Sequence, residues 1–145
     1  MILAAVRDDA YNLFLLLHIV AAVVAFGPAV RHAVEGGRSA AGDGAASDVQ
    51  YTRLFSLGGL AAVFVTGIIM ILLSDEVIEF SDAWISLSFL VWIAIGGVLS
   101  ALVLKGQRMV AAGDGEGRRK VVLGSQITTL LVVVAVYLMV YKPGA

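Results

Sequence analysis

Four uncharged apolar stretches constrain the fold of this sequence more than any other feature. They cover residues 10–30, 54–73, 85–104 and 121–140, and none of them contains Asp, Glu, Lys or Arg. A helix needs about 20 apolar residues to cross the roughly 30 Å hydrocarbon core of a bilayer. The sequence therefore predicts an all-α integral membrane protein, a four-helix bundle that forms one transmembrane domain over residues 1–145.

Composition supports the membrane class and excludes several functions. Hydrophobic residues make up 60% of the chain and charged residues 14%, against about 45–50% and about 25% in soluble domains. The net charge of −1 argues against a nucleic-acid partner, which would require a basic surface. Because the chain has no Cys, thiolate metal sites and Cys nucleophiles are excluded. The lipid bilayer is the one partner that composition predicts.

The distribution of basic residues predicts the orientation of the helices. All Lys and Arg residues lie in segments 31–53 and 105–120 except Arg7 and Lys142, which lie near the two ends of the chain. Cytoplasmic loops of membrane proteins carry the excess of Lys and Arg. We therefore expect both segments in the cytoplasm and both termini outside. The expected location is a plasma (inner) membrane of the bacterial type, which the chain crosses several times.

The two basic segments are expected to be flexible cytoplasmic loops. Segment 31–53 is rich in Gly, Ala, Ser and Asp, which is typical of a flexible tether. Segment 105–120 contains a Gly-Asp-Gly-Glu-Gly run that ends at Gly117. Pro28 is expected to kink or end the first helix. Arg7 precedes two Asp residues and an apolar run of about 21 residues, which predicts a retained helix rather than a cleaved signal peptide.

Small residues recur at helical spacing in every stretch. Because lipid supplies no hydrophobic drive between helices, small residues mark close helix contacts. The first stretch has Ala21, Ala25 and Ala29, and the second has Gly58, Ala62 and Thr66 with Gly59 and Gly67. The third has Gly96 and Ser100 with Gly97 and Ala101, and the fourth has Gly124 and Thr128 with Ser125 and Thr129. Packing of one bundle accounts for these faces, and a homodimer or another membrane protein partner is an alternative use of them.

His18 is the chemically distinctive residue within the apolar stretches. It lies eight residues into the first stretch, about 12 Å below the outer boundary at 1.5 Å per residue. A His at this depth usually faces the interior of a bundle. Two interpretations stay open. His18 is a ligand of a metal or haem or a proton-sensitive group, or it is a neutral His that hydrogen bonds across the bundle to a Ser, a Thr or a carbonyl.

His32 is the second candidate ligand, because it lies about 21 Å from His18 on nearly the same helix face. Two-haem cytochrome b bundles use two His residues on one helix in this way, but they need matching His residues on a second helix, and this chain has only two His. Copper at His18 is another alternative, with Met70 and Met139 as soft ligands. We expect no bound cofactor, with haem or copper as the alternative.

The first helix resembles that of a known type of membrane protein. Segment 15–22, Leu-Leu-Leu-His-Ile-Val-Ala-Ala, followed by Phe26-Gly27, is similar to the opening helix of the CopD-like copper-resistance proteins. It resembles more closely a family of four-helix integral membrane proteins of unknown function. The Thr66-Gly67 pair fits this pattern, as does a third helix with Trp84, Trp92 and Gly96-Gly97. The resemblance implies the four-helix architecture and a metal or haem role at His18 alone.

Three classes of function are considered. The first is a non-catalytic accessory or scaffold protein of the membrane, and the second is a haem- or copper-binding redox or transport protein that uses His18. The third is a compact proton-coupled exporter, which needs an intramembrane carboxylate that none of the four stretches has. No Ser–His–Asp grouping lies within reach, so an enzyme is not expected. We predict the first class, with the second as the alternative.

Overall fold

The protein folds into four long helices. Residues 9–35, 45–74 and 78–143 are described by the structure, a computed structural model, and every regular element within them is a helix. Four helices are long and apolar enough to cross a membrane: span 1 (Asp9–Glu35), span 2 (Ser47–Leu72), span 3 (Ala83–Ala111) and span 4 (Glu116–Tyr141). The predicted all-helical class and the four membrane-length helices are confirmed.

Two of the spans contain a π-helical turn. Span 2 consists of Ala45–Tyr51, the π-helical segment Thr52–Ser56 and Leu57–Leu72, and span 3 consists of Ala83–Val98, the π-helical segment Leu99–Leu104 and Lys105–Ala111. Spans 1 and 4 are unbroken α-helices. Span 1 continues through Pro28 to Glu35, so the expectation that Pro28 would end it is wrong. In lipid a break would expose backbone polar groups that have no water to bond.

The expected flexible loops are largely helical. Of segment 31–53, residues 31–35 and 45–53 are helical, and residues 36–44 lie outside the described part of the chain. Of segment 105–120, only residues 112–115 are not helical. The difference arises because charged residues mark where a helix leaves the hydrocarbon, whereas the helix itself continues for one or two turns into the aqueous interface.

The turn at residues 112–115 has defined hydrogen bonding. Gly113 has a φ of 85°, a left-handed conformation that glycine adopts without a steric penalty. The Asp114 amide then donates to the Met109 carbonyl at 2.9 Å, which closes the helix end in a Schellman arrangement. The Asp114 carboxylate accepts the Glu116 amide at 2.9 Å, an Asx turn that leads into span 4. This turn fixes spans 3 and 4 as a tight antiparallel hairpin.

Small residues let spans 1 and 2 and spans 3 and 4 approach closely. A Cβ on Gly59 would lie 2.9 Å from Ala25 Cβ, and a Cβ on Gly124 would lie 2.7 Å from Leu102 Cβ. The backbones of Gly106 and Gly117 are also in direct contact. The predicted small-residue faces of spans 1 and 4 are therefore used. In span 3 the prediction holds only at Gly96, where a Cβ would lie 3.4 Å from Leu60, whereas Gly97, Ser100 and Ala101 are exposed.

A small core holds spans 2 and 3 together in the middle of the bundle. Leu60 of span 2 packs with Ile95, Leu99 and Val103 of span 3. Only 11–28% of each apolar window is buried inside the bundle, so most of the large apolar side chains face outward. An apolar surface of this extent is suited to lipid rather than to water.

Spans 2 and 3 diverge towards one end of the bundle. Their backbones lie close together where Ala45–Tyr51 meets Lys105–Ala111 and are farther apart over Leu57–Leu72 and Ala83–Val98, where large side chains bridge the two spans. We call the first region the Gln107 end and the opposite one the Trp84 end. Asp9 and Tyr141 lie at the Trp84 end, which is the predicted external side. The divergence opens a cleft there, between spans 2 and 3.

Candidate functional site: a cleft beside His18

His18 hydrogen bonds to a hydroxyl of the neighbouring span. Its Nδ1 lies 3.0 Å from Thr66 Oγ1, and the Thr66 hydroxyl lies 2.7 Å from the Ala62 carbonyl one turn earlier in span 2. A carbonyl only accepts, and a hydroxyl has a single proton. We assign the Thr66 proton to the shorter contact, with the Ala62 carbonyl, which makes His18 Nδ1 the donor to Thr66. This arrangement is the cross-bundle hydrogen bond that was one of the two interpretations of His18.

The hydrogen bond determines which ring atom of His18 is available to a ligand. With the proton on Nδ1, the neutral ring carries its lone pair on Nε2. Gly67 lies beside the ring, because a Cβ at Gly67 would stand 3.5 Å from His18 Cε1. The absence of a side chain at Gly67 thus leaves space next to the imidazole. His18 is held at Nδ1 by Thr66 and forms part of the wall of the open volume beside it.

That open volume is an apolar cleft of about 240 Å³. His18 of span 1 is part of its wall, together with Phe64 and Gly67 of span 2 and Phe89 and Trp92 of span 3. The ring centroid of Phe64 is 4.6 Å from that of Trp92 and 5.7 Å from that of Phe89. These three aromatic side chains pack with tilted rings and form the aromatic part of the cleft wall.

Trp92 is fixed where the cleft meets the core. Its Nε1 donates to the Leu60 carbonyl at 2.9 Å, so the indole links span 3 to span 2 where the two spans begin to diverge. A helix carbonyl has a second lone pair that can accept such a donor, and this bond fixes the position of the ring. Trp92 and His18 both line the cleft.

Trp84 lies at the mouth of the same cleft. Its side chain is only 6% exposed, and its Nε1 has no hydrogen-bond partner among the described residues. Lys142 lies over the indole with its Nζ 5.5 Å from the ring centroid, a cation–π distance. The cleft thus has an unused donor at Trp84 and an unused acceptor at His18.

The two soft candidate ligands line the cleft as well. Met70 of span 2 and Met139 of span 4 are both part of its wall, as is His18. Ser88 is a further polar residue of the wall, but its hydroxyl donates to the Trp84 carbonyl at 2.7 Å. The hydroxyl that meets His18 is instead that of Thr66.

His32 lies at the opposite end of the bundle. It is 2% exposed and borders a separate cavity of about 420 Å³ that Gln107 also lines. The two His residues therefore do not share a site. Within the part of the chain that the structure describes, no three residues of the types His, Cys, Asp and Glu are grouped to hold a metal ion.

Several residues of these two cavities were not expected from the sequence. Thr66 was assigned to a packing face, and Trp84 was named only as part of the third-helix motif. Asp48 and Gln107 fell in the segments expected to be loops. Asp48 and Gln107 were overlooked because the helices extend beyond the uncharged stretches, and a polar side chain in these flanking turns can still be buried.

The described residues define a small multi-pass membrane protein with four membrane-length helices. Comparisons of the chain with protein-family models, with curated proteins and with solved structures found no match. The resemblance to the CopD-like proteins therefore has no support beyond the short motifs that carry it.

Proposed function

We propose that this protein is a non-catalytic membrane protein that binds a small, largely apolar molecule in the cleft beside His18. The observation that carries the proposal is the cleft itself, about 240 Å³ of space walled by aromatic and aliphatic side chains with one His in the wall. Binding sites for small molecules are typically apolar, with a few polar groups that orient the ligand.

The chemistry of the wall indicates the class of ligand. His18 Nε2 offers an acceptor, and Trp84 Nε1 offers a buried donor without a partner. A hydroxyl group can donate to the first and accept from the second. A cavity of about 150 Å³ already holds one benzene ring. An aromatic alcohol or phenol of one ring, which partitions into the bilayer, suits both the volume and the polar groups.

The two Trp residues make occupancy directly measurable. The chain contains only two Trp, and both line the cleft. We expect 4-bromophenol, whose heavy atom quenches indole fluorescence, to quench the purified protein in nanodiscs with a saturable curve. His18→Leu removes one hydrogen bond of about 1.4 kcal/mol and should weaken binding about tenfold. Bromobenzene, which has no hydroxyl, should bind both proteins equally.

A matched pair of glycine variants controls for quencher dissolved in lipid. Gly67→Leu places a side chain beside His18 and fills the cleft, whereas Gly97→Leu adds the same side chain where a Cβ meets nothing within 4 Å. Saturable quenching should be lost in Gly67→Leu and kept in Gly97→Leu. Quenching that rises linearly and equally in all of these proteins would show that the cleft takes no ligand.

Copper(I) binding is a second candidate, because His18, Met70 and Met139 line one cavity. Soft Cu(I) accepts thioether and imidazole ligands. Haem suits the site less well, since the cleft is smaller than the roughly 300–1,000 Å³ of ordinary ligand pockets. Competition with a chromophoric copper(I) chelator tests the candidate. Stoichiometric copper that is lost in Met70→Leu but kept in Met109→Leu, a Met at the opposite end, would support it.

The orientation proposed for the protein places the Gln107 end in the cytoplasm of the cell and the cleft on the external side. The excess of Lys and Arg at the Gln107 end supports it. Because the chain has no Cys, single Cys variants can be labelled without background. An impermeant maleimide added to intact cells should label Ser81→Cys and spare Asp114→Cys, and the reverse pattern would invert the orientation.

A further inference from the structure

The second cavity, at the Gln107 end, has a polar wall that the proposed cleft function does not use. Its volume is about 420 Å³, and it lies between spans 1, 2 and 3. Its polar lining residues are Arg31, His32, Asp48, Tyr51, Thr52 and Gln107. The cavity contrasts with the cleft, whose wall is almost entirely apolar.

Gln107 is the strongest sign that this cavity holds a ligand. The residue is 1% exposed, and neither its Oε1 nor its Nε2 has a hydrogen-bond partner among the described residues. Buried polar side chains are normally paired, and a carboxamide both donates and accepts. An occupant that satisfies Gln107 must therefore bring at least one donor and one acceptor.

Asp48 and Arg31 add opposite charges to the same wall. Asp48 Oδ1 lies 3.8 Å from Arg31 Nη2, which is longer than the 2.7–2.9 Å of a direct charged hydrogen bond. Asp48 Oδ2 is buried without a partner among the described residues. The Arg31 side chain is 51% exposed and so keeps donors available. A cationic donor is suited to Asp48, and an anionic acceptor is suited to Arg31.

We propose that the cavity at the Gln107 end binds a zwitterionic group, an ammonium joined through a short chain to a carboxylate or a phosphate. The ammonium bonds Asp48 Oδ2 and Gln107 Oε1, and the acid group bonds Arg31 and Gln107 Nε2. The face of Tyr51 is an additional cation-binding surface in the same wall. A ligand with only an ammonium or only an acid group would bond either the two acceptors or the two donors, but not both.

Two sources supply this chemistry, and the experiment separates them. Free amino acids are zwitterions, and so is the headgroup of phosphatidylethanolamine. The first arm measures thermal unfolding in detergent with glycine, serine or glutamine, against acetate and ethylammonium, which carry one charge each. The second arm counts bound lipid by native mass spectrometry after equal addition of phosphatidylethanolamine and phosphatidylglycerol.

Stabilisation by a free amino acid assigns a soluble ligand, and selective retention of phosphatidylethanolamine assigns a lipid headgroup. Either result supports the site when it is weakened at least tenfold by Gln107→Leu and by Arg31→Gln. The matched controls are Gln126→Leu and Arg53→Gln, at exposed positions outside the cavity. Because Gln107→Leu removes an unpaired buried amide, it is expected to fold, and ligand binding can be measured in it.

The proposal is overturned if the zwitterions act no more strongly than acetate and ethylammonium and neither lipid is preferred. It is also overturned if the cavity variants and their controls bind alike. Either result would leave water as the occupant that satisfies Gln107 and Asp48. Because none of these measurements involves the Trp84 end, they are independent of the outcome for the cleft.

Discussion

Gly106 is a position at which one added methyl group should clearly disturb the bundle. A Cβ at Gly106 would lie 2.7 Å from the Gly117 carbonyl oxygen and 2.9 Å from the Val121 amide nitrogen. Both neighbours are backbone atoms, so rotation of a side chain cannot relieve the contact. Spans 3 and 4 would have to move apart, and the short turn at residues 112–115 restricts that movement.

The expected cost of Gly106→Ala follows from these distances. Ordinary van der Waals contact begins at 3.4 Å, so the two backbones must separate by about 0.7 Å at the crossing. Overpacking of this kind costs about 1–3 kcal/mol, and the better helix propensity of Ala returns up to about 1 kcal/mol. We expect a net loss of about 1–2 kcal/mol in the free energy of unfolding.

Gly97→Ala is the matched control, because Gly97 lies in the same span and a Cβ there meets nothing within 4 Å. Both variants should be unfolded with sodium dodecyl sulfate in mixed micelles and followed by far-ultraviolet circular dichroism. Gly106→Ala should unfold at a lower detergent fraction than the native protein, and Gly97→Ala at an equal or higher one. Equal midpoints for the two variants would refute the close crossing of spans 3 and 4.

Three further predictions concern individual hydrogen bonds and use the same unfolding assay. Thr66→Val leaves His18 Nδ1 without its acceptor and should lower the free energy of unfolding by about 1–2 kcal/mol. His18→Ala should cost less in the Thr66→Val protein than in the native protein, and the difference is the coupling energy, about 0.6–1.7 kcal/mol. Trp92→Phe keeps the ring but removes the donor to the Leu60 carbonyl, and should cost about 0.5–1.5 kcal/mol. Gln107→Leu should instead stabilise the ligand-free protein by about 1 kcal/mol, since it removes an unpaired buried amide; a loss of stability would show that Gln107 is paired.

The sequence was sufficient to predict the number and class of the helices, since length and lack of charge decide whether a segment can cross a bilayer. It was not sufficient to predict which face of a helix packs. In a soluble helix polarity separates the two faces, whereas in span 3 nearly all residues are apolar. Ser100 and Gly97 were therefore expected in a contact, and both face outward, while Ile95 and Leu99 form the core.

Gly117 shows the second limit of the sequence analysis. It stood in a Gly-rich, basic segment and was interpreted as part of a flexible linker. In the structure it is buried and touches Gly106 across the hairpin. Glycines serve linkers and close helix crossings equally well, so composition alone does not separate the two uses. The contact with Gly106 of the preceding span is what identifies Gly117 as a helix-crossing glycine.

The candidate sites were predictable in part for a similar reason. His18 was identified because a His is rare at that depth in a membrane helix. Its partner Thr66 was one of several Ser and Thr residues that could have met it. Asp48 and Gln107 gave no signal, because each lies beyond the uncharged stretches. Which polar residues meet in a cavity depends on how helix ends from different spans come together.

The position of the cleft follows from where the small residues bring the spans together. Gly59 allows span 2 to pack closely against span 1, and Gly106 and Gly124 allow span 4 to pack closely against span 3. In contrast, the backbones of spans 2 and 3 come less close over Leu57–Leu72 and Ala83–Val98. Span 4 also packs against span 1, so the bundle is closed on three sides and opens between spans 2 and 3. Aromatic side chains line this opening without closing it, as a site for a small apolar ligand requires.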